Sequence, residues 1–230
     1  TGSIRNNANT AGLEALTIHQ HSANALQINT AIVNNTAANA QGITKVGNGK
    51  VFLSGNNTFT GTINLHQGEI QVGGTIAAPT SATNSRLTTG APAVNISQGA
   101  ILRFLSNNTA IQDLGTLQGA GSIILDTGNS QTVLFDTDSS NYIGDIIVNG
   151  GKLRVGGSNL ASALGNLRGA TNINSGATLE LFGAATATSG TITPMQEWIT
   201  FGNNTSLVAI ANGGTNTNLN MSGKMVLNNT

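Results

Sequence analysis

Three histidines are among the few side chains in this sequence that could perform chemistry. His19 and His21 are separated by one residue, so on a strand both project from one face, as two imidazole ligands of a metal ion would. The only carboxylate near enough to join them is Glu14. His66 accompanies neither a Gly-Asp-Ser-Gly nor a Gly-x-Ser-x-Gly segment, so we expect no serine-protease triad. Exposed strand histidines without a metal are the interpretation we favour.

Four aspartates form the only acidic group in the sequence: Asp126, Asp136, Asp138 and Asp145. Three interpretations are open, namely turn formation, a weak Ca²⁺ site, and a carboxylate pair for glycoside chemistry. An enzyme would require the first three to converge in one cleft. We favour turn formation, because aspartate is common in loops for its own backbone hydrogen bonds. We therefore expect no catalytic residue, metal or cofactor.

The composition restricts the function classes further. Of 230 residues only 8% are charged, against about 25% in an average domain. Nine basic residues balance nine acidic ones, which argues against nucleic acid as a partner, because such proteins need a basic face. The chain has no cysteine, 30 glycines and 38% hydrophobic residues, enough to form a core without disulfides or thiolate-bound metals.

Short runs with apolar residues at every second position recur along the chain and predict strands joined by tight turns. Typical examples are 62–65, 69–72, 146–148, 152–155 and 178–181. Asn-Gly pairs such as Asn48-Gly49 supply the turns, since both residues tolerate positive φ angles. No segment predicts a convincing amphipathic helix.

An internal repeat is the strongest signal in the sequence. Segments 57–74 and 140–157 align without gaps at a shift of 83 residues, and a second pair, 94–104 and 171–181, follows them. Such repetition predicts a solenoid, in which parallel coils stack about 4.8 Å apart and Asn and Thr form ladders between coils. We expect the two copies to occupy equivalent places in it. A β-sandwich is the alternative fold.

One stretch of the sequence resembles a known family. Segment 43–72, ITKVGNGKVFLSGNNTFTGTINLHQGEIQV, is similar to the autotransporter-associated β-strand repeat of Gram-negative passenger domains. Segment 159–181 resembles a companion element of the same passengers, and the amino-acid sequence is most similar to rickettsial surface cell antigens. The positions that fit the repeat are Lys45, Gly47, Gly49, Leu53, Ser54, Gly55, Asn57, Thr58, Phe59, Thr60, Gly61, Gly68, Ile70 and Val72.

This resemblance implies an all-β fold, a right-handed parallel β-helix, with residues 1–230 forming a single passenger fragment. It implies that a C-terminal β-barrel translocator, absent from this chain, carries the passenger to the bacterial surface or outer membrane, or into the medium. The implied function is that of a non-enzymatic adhesin or host-directed effector, whose partner is a host cell-surface protein or glycan. An inert stalk and a carbohydrate-active β-helix enzyme are the alternatives.

Two segments interrupt the regular spacing of the predicted strands, and we expect loop excursions near 75–93 and 183–197. Insertions of a solenoid project from one face and often bind partners. In the second segment Met195, Glu197 and Trp198 would form a small amphipathic knob if exposed, and they are the predicted binding residues. Burial of Trp198 in the next strand is the alternative. Unpaired strands at the ends of a solenoid also allow self-association.

Overall fold

The computed structural model describes residues 2–5, 14–35, 40–157, 162–166, 168–183, 190–192, 197–210, 217–219 and 225–227. In these ranges the chain is all-β and contains no α-helix, as the sequence predicts. In the same ranges no helix has the length and apolar character needed to span a membrane.

Twenty-three short strands are present in the described part of the chain. The first twelve are β1 (Ser3–Ile4), β2 (Glu14–His19), β3 (Leu26–Ile28), β4 (Ala31–Ile32), β5 (Gln41–Val46), β6 (Lys50–Leu53), β7 (Ile63–Leu65), β8 (Glu69–Val72), β9 (Val94–Ile96), β10 (Ile101–Phe104), β11 (Gln112–Leu114) and β12 (Leu117–Gly119). The others are β13 (Ser122–Leu125), β14 (Thr132–Phe135), β15 (Ile146–Val148), β16 (Lys152–Gly157), β17 (Ala170–Ile173), β18 (Thr178–Gly183), β19 (Gly190–Ile192), β20 (Trp198–Phe201), β21 (Ser206–Ile210), β22 (Thr217–Leu219) and β23 (Met225–Leu227).

The strands form three large parallel sheets. Sheet I has the order β12-β9-β7-β5-β2, sheet II the order β23-β20-β17-β15-β13-β10-β8-β6-β3, and sheet III the order β11-β14-β16-β18-β21. Two small sheets pair β1 with β4 and β19 with β22. Each strand pair given by the described residues is parallel, so the antiparallel sandwich considered from the sequence is wrong.

From β9 to β14 the chain passes twice through the three sheets in the same order, whereas β5 to β8 alternate between sheets I and II and β15 to β18 alternate between sheets II and III. Strands β9, β10 and β11 lie in sheets I, II and III, and β12, β13 and β14 pair with them in the same order. One circuit takes roughly 20 to 30 residues, within the range of known structural repeats. A residue therefore contacts its counterparts one circuit earlier and one circuit later along the stack.

Columns of aliphatic side chains fill the space inside the circuits. In sheet II, register pairs join five residues that are all fully buried: Val51, Ile70, Leu102, Ile123 and Ile146. Burying each such side chain stabilises the fold by about 1.5–3 kcal/mol.

Asparagine ladders of two residues each connect neighbouring circuits at two polar positions, which confirms the asparagine part of the predicted Asn and Thr ladders. The Asn95 side-chain amide donates to Asn64 Oδ1 at 2.7 Å, and that of Asn174 donates to Asn149 Oδ1 at 2.6 Å. Each ladder joins two strands of one parallel sheet, or the residues that directly follow them. Neutral amides can stack in this way without the repulsion that like charges would bring.

The two copies of the internal repeat do not occupy equivalent places, so that expectation is wrong. Segment 57–74 places its strands, β7 and β8, in sheets I and II. Segment 140–157 places its strands, β15 and β16, in sheets II and III. A shift of 83 residues therefore corresponds to several complete circuits and a further step from one sheet to the next. What repeats is a local unit of strand, turn and strand, and each corner of the stack can accept it.

Segment 75–93 contains no strand but contacts the stack at both ends. The Ile76 amide donates to Gln27 Oε1 at 2.8 Å, and the Gln71 side chain donates to the Pro79 carbonyl at 2.8 Å. Farther along, Arg86 forms a parallel bridge with Asn56, and Leu87 is fully buried. Of the second segment, 183–197, the structure describes only 183, 190–192 and 197.

Candidate functional site

The predicted binding residues divide between the surface and the interior. Trp198 opens β20 with 52% of its surface exposed, whereas the preceding Glu197 is only 1% exposed. Neighbouring residues on an extended chain project to opposite sides, and Ile199 inside the stack continues this alternation. Met195 lies outside the described residues. Trp198 and Glu197 therefore do not form one exposed knob.

Trp198 lies on the outer side of sheet II among small and polar residues. Its register partner is Ala170, and two residues farther Asn172 is paired with Thr200. Asp145, exposed just before β15, is in line with Ala170 on the next strand. We call this surface, formed by Asp145, Ala170, Asn172, Trp198 and Thr200, the Trp198 face. It offers one large aromatic ring beside an amide, a hydroxyl and a carboxylate.

Glu197 has an unusual environment for a carboxyl group. Neither of its oxygens has a hydrogen-bond partner of normal geometry in the described part of the chain, and the same holds for the hydroxyl of buried Thr171. Burial raises the pKa of Glu197 to about 8, the Thr171 hydroxyl opposes this, and the negative charge of Asp145 adds to it. At neutral pH the carboxyl is therefore mostly protonated.

The four aspartates considered from the sequence have separate surroundings. Asp126 follows β13 and forms an ion pair with Arg103 at 2.9 Å. Asp138 accepts hydrogen bonds from the Ser140 amide at 2.9 Å and from the Ser162 hydroxyl at 2.6 Å, which lower its pKa. No group of three or more His, Asp or Glu side chains in the described ranges is placed to hold a metal ion.

A different aspartate pair emerges on sheet III. Asp113 is half-buried in β11, with one carboxyl oxygen lacking a partner among the described residues. Burial raises its pKa to about 6, repulsion from Asp136 adds to the shift, and attraction to Arg86 opposes it. The sequence separates these two aspartates by a whole circuit. Only the register, which pairs β11 with β14, shows that they are neighbours.

Charged side chains form ladders across the circuits, a feature that sequence reasoning missed. On sheet II, Glu69 forms ion pairs with Lys50 at 2.9 Å and with Arg103 at 2.8 Å. Arg103 also forms an ion pair with Asp126. On sheet III, Glu180 bonds Lys152 at 2.5 Å and also pairs with Arg154. These seven residues are more than a third of the 18 charged ones in the chain, so a substantial part of the charge joins neighbouring strands.

The outer side of sheet I is built from uncharged polar residues. A column of register partners runs across its five strands: Thr17, Thr44, Asn64, Asn95 and Gln118. A pocket of about 210 Å³ opens at one edge and is lined by His66, Asn95, Ile96, Ser97, Gln118 and Gly119. His19 and His21 are exposed, and their rings are stacked 6.3 Å apart at 23°.

No protein-family model, curated protein or solved structure matches this chain. The resemblance to autotransporter passengers described from the sequence therefore stays a prediction, and the functional interpretation depends on the geometry of the exposed faces.

Proposed function

We propose that this chain is a right-handed parallel β-helix from an autotransporter passenger, and that it acts without catalysis as an adhesin or host-directed surface ligand. In this proposal it is displayed on the bacterial surface or secreted. Its partner is a protein or glycan on the host cell. The parallel sheets and their repeating circuit support the architecture, and the Trp198 face supports the binding role.

The residues that fit the autotransporter repeat have structural tasks at the corners of the circuits. The ammonium of buried Lys45 donates to the carbonyls of Gly47 and, at 2.9 Å, Gln67. The Asn57 side chain accepts from the Ile32 amide at 2.9 Å and donates to the Arg86 carbonyl at 2.6 Å, which joins three circuits. The repeat thus specifies how the stack is built and leaves recognition to the residues that project outward.

The observation that carries the binding proposal is the exposed indole of Trp198 on a regular sheet. Aromatic side chains are enriched among the residues that dominate binding energy, because they bury a large area with few rotamers to fix. The amide of Asn172, the hydroxyl of Thr200 and the carboxylate of Asp145 can supply hydrogen bonds around the ring. A flat face of this kind suits a protein surface or a sugar ring.

Binding of the purified chain to host cells tests the proposal, with Trp198→Ala as the variant and Ile76→Ala as the matched control. Ile76 is 53% exposed, almost the same as Trp198, but lies elsewhere on the stack. We expect saturable binding that Trp198→Ala weakens at least tenfold and Ile76→Ala leaves unchanged. Saturable binding unaffected by Trp198→Ala would place the contact elsewhere, and absence of saturable binding would contradict the adhesin role.

A stalk that holds another region away from the cell is the second candidate, favoured by the ion-pair ladder of sheet II. That ladder links strands β6, β8, β10 and β13 through side chains that are 18–30% exposed. Such cross-links stiffen a rod along its axis. A stalk predicts no saturable binding by this chain, together with binding by a longer chain that contains it.

A further inference from the structure

The buried carboxyl of Glu197 lies at a position that glycine or alanine fills before each of the six strands of sheet II from β6 to β17. Strand register aligns it with the residues that lead into the preceding strands of sheet II. From β6 onward these residues are, in chain order, Gly49, Gly68, Ala100, Gly121, Gly144 and Gly169, and the corresponding residue before β3 is the exposed Asn24. From β6 to β20, Glu197 is thus the only large side chain in this column.

The small residues of this column leave the space that the Glu197 carboxyl occupies. A Cβ atom on Gly169 would lie 3.5 Å from Glu197 Oε1, so the carboxyl extends over the glycine of the circuit below. A Cβ on Gly144 would lie only 1.8 Å from the Gly121 carbonyl oxygen, so the circuits are in close contact along this column. Little room is available there for the water that an ionised carboxylate needs, and such a charge is costly to bury without a partner.

The charged and titratable groups around Glu197 do not compensate a negative charge. On the β15 side these are Asp145, which is exposed, and Tyr142, whose hydroxyl donates to the Gly121 carbonyl at 2.8 Å. On the β17 side Thr171 and Gly169 do not titrate, and Arg168 is exposed in the turn before the strand. The described part of β23, Met225–Leu227, has no titratable side chain.

We propose that Glu197 is a proton-dependent latch for this end of the stack. With a neutral carboxyl, β20 packs on β17, and β21 and β23 pack beside their own neighbours. Loss of the proton places an unpartnered charge between the circuits, so β20 separates from β17 and β21 separates from β18. Acidic surroundings hold this end closed and mildly alkaline ones open it. Because burial raises the pKa of Glu197 from the ordinary 4.5 to about 8, the closed arrangement loses stability as the pH rises above 4.5, and the loss is complete near pH 8.

Trp198, the only tryptophan of the chain, is the natural probe, because it directly follows Glu197. We would measure its fluorescence quenching by acrylamide from pH 5 to 9.5 in the wild type, in Glu197→Gln and in Glu69→Gln, which removes an ion-paired glutamate elsewhere. We expect quenching of the wild type and Glu69→Gln to rise about twofold between pH 5 and 8, whereas Glu197→Gln keeps its low-pH value. The same transition in Glu197→Gln would overturn the proposal.

Hydrogen exchange of the wild type gives a second measurement that needs no variant. Above pH 8, after correction for the intrinsic exchange rate, we expect the protection factors of the amides in β20 and β21 to fall at least tenfold. The protection factors of the amides in β10 and β13 should stay the same. Equal protection of all four strands at every pH would contradict the latch. Loss of protection in all four together would mean global unfolding and would contradict it as well.

Discussion

Replacing Gly144 by alanine tests the stacking of circuits at its tightest point. The new Cβ would lie 1.8 Å from the Gly121 carbonyl oxygen and 2.8 Å from the Tyr142 hydroxyl. Carbon and oxygen atoms in contact are normally more than 3 Å apart, so the two circuits must separate by about 1.5 Å. The clash exists only if residues 121 and 144 are neighbours on adjacent strands.

The expected cost follows from these contacts. Overpacking of a filled interior costs about 1–3 kcal/mol. Displacing the Tyr142 hydroxyl from the Gly121 carbonyl, to which it donates at 2.8 Å, adds about 1 kcal/mol. Alanine also lowers the conformational entropy of the unfolded chain relative to glycine, which stabilises the folded state by about 0.4–1 kcal/mol. We therefore expect Gly144→Ala to lower the free energy of unfolding by about 2 kcal/mol.

Gly156→Ala is the matched control. Gly156 also lies in a strand of the stack and has no positive φ, but its Cβ would meet Phe182 atoms only at 3.4 Å and beyond. We expect a change within about 1 kcal/mol, in either direction. Urea unfolding monitored by circular dichroism measures both variants. Equal stability of Gly144→Ala and Gly156→Ala would refute the placement of β15 on β13.

Two charge substitutions give further predictions. Arg103→Met removes the centre of the ion-pair ladder on sheet II, and we expect the free energy of unfolding in urea to fall by about 1–2 kcal/mol at low salt and by less in 1 M NaCl. The control, Arg168→Met at an exposed position, should leave the free energy of unfolding unchanged. A loss that does not depend on salt would contradict the ladder. Burial and the charge of Asp136 raise the folded-state pKa of Asp113 to about 6, above the ordinary 3.8, so its contribution to stability is full below pH 3.8 and is lost as the pH rises to about 6. Asp113→Asn should remove this slope from the urea midpoint measured between pH 4 and 7, and an unchanged slope would contradict the assignment.

The local structure could be predicted because it depends on neighbouring residues. Alternation of apolar and polar residues in 146–148 and 152–155 predicts strands, and the structure has β15 and β16 there. Phe59 and Tyr142, aligned by the repeat, are both fully buried, as expected of equivalent aromatic positions. The side of the stack on which each copy lies could not be predicted, because it depends on the summed lengths of all the turns between the copies.

The candidate site was predictable only in part for the same reason. Trp198 stands out in the sequence as the single tryptophan beside a predicted strand, and its exposure follows from the strand's alternation once Ile199 is known to be inside. The burial of Glu197 is not visible locally, because it depends on glycines one and two circuits earlier. The proximity of Asp113 to Asp136 likewise depends on strand register.

Disulfide formation between introduced cysteines tests the stacked circuits most directly, because the natural chain has no cysteine. Asn64 and Asn95 are register partners on β7 and β9, and adjacent strands place Cα atoms about 5 Å apart, within the range that a disulfide spans. Asn64 and Ile147 match in the sequence repeat but lie in different sheets. We predict that Asn64→Cys with Asn95→Cys forms an intramolecular disulfide under mild oxidation, whereas Asn64→Cys with Ile147→Cys keeps both thiols free. The opposite result, a bond only between positions 64 and 147, would contradict the stack.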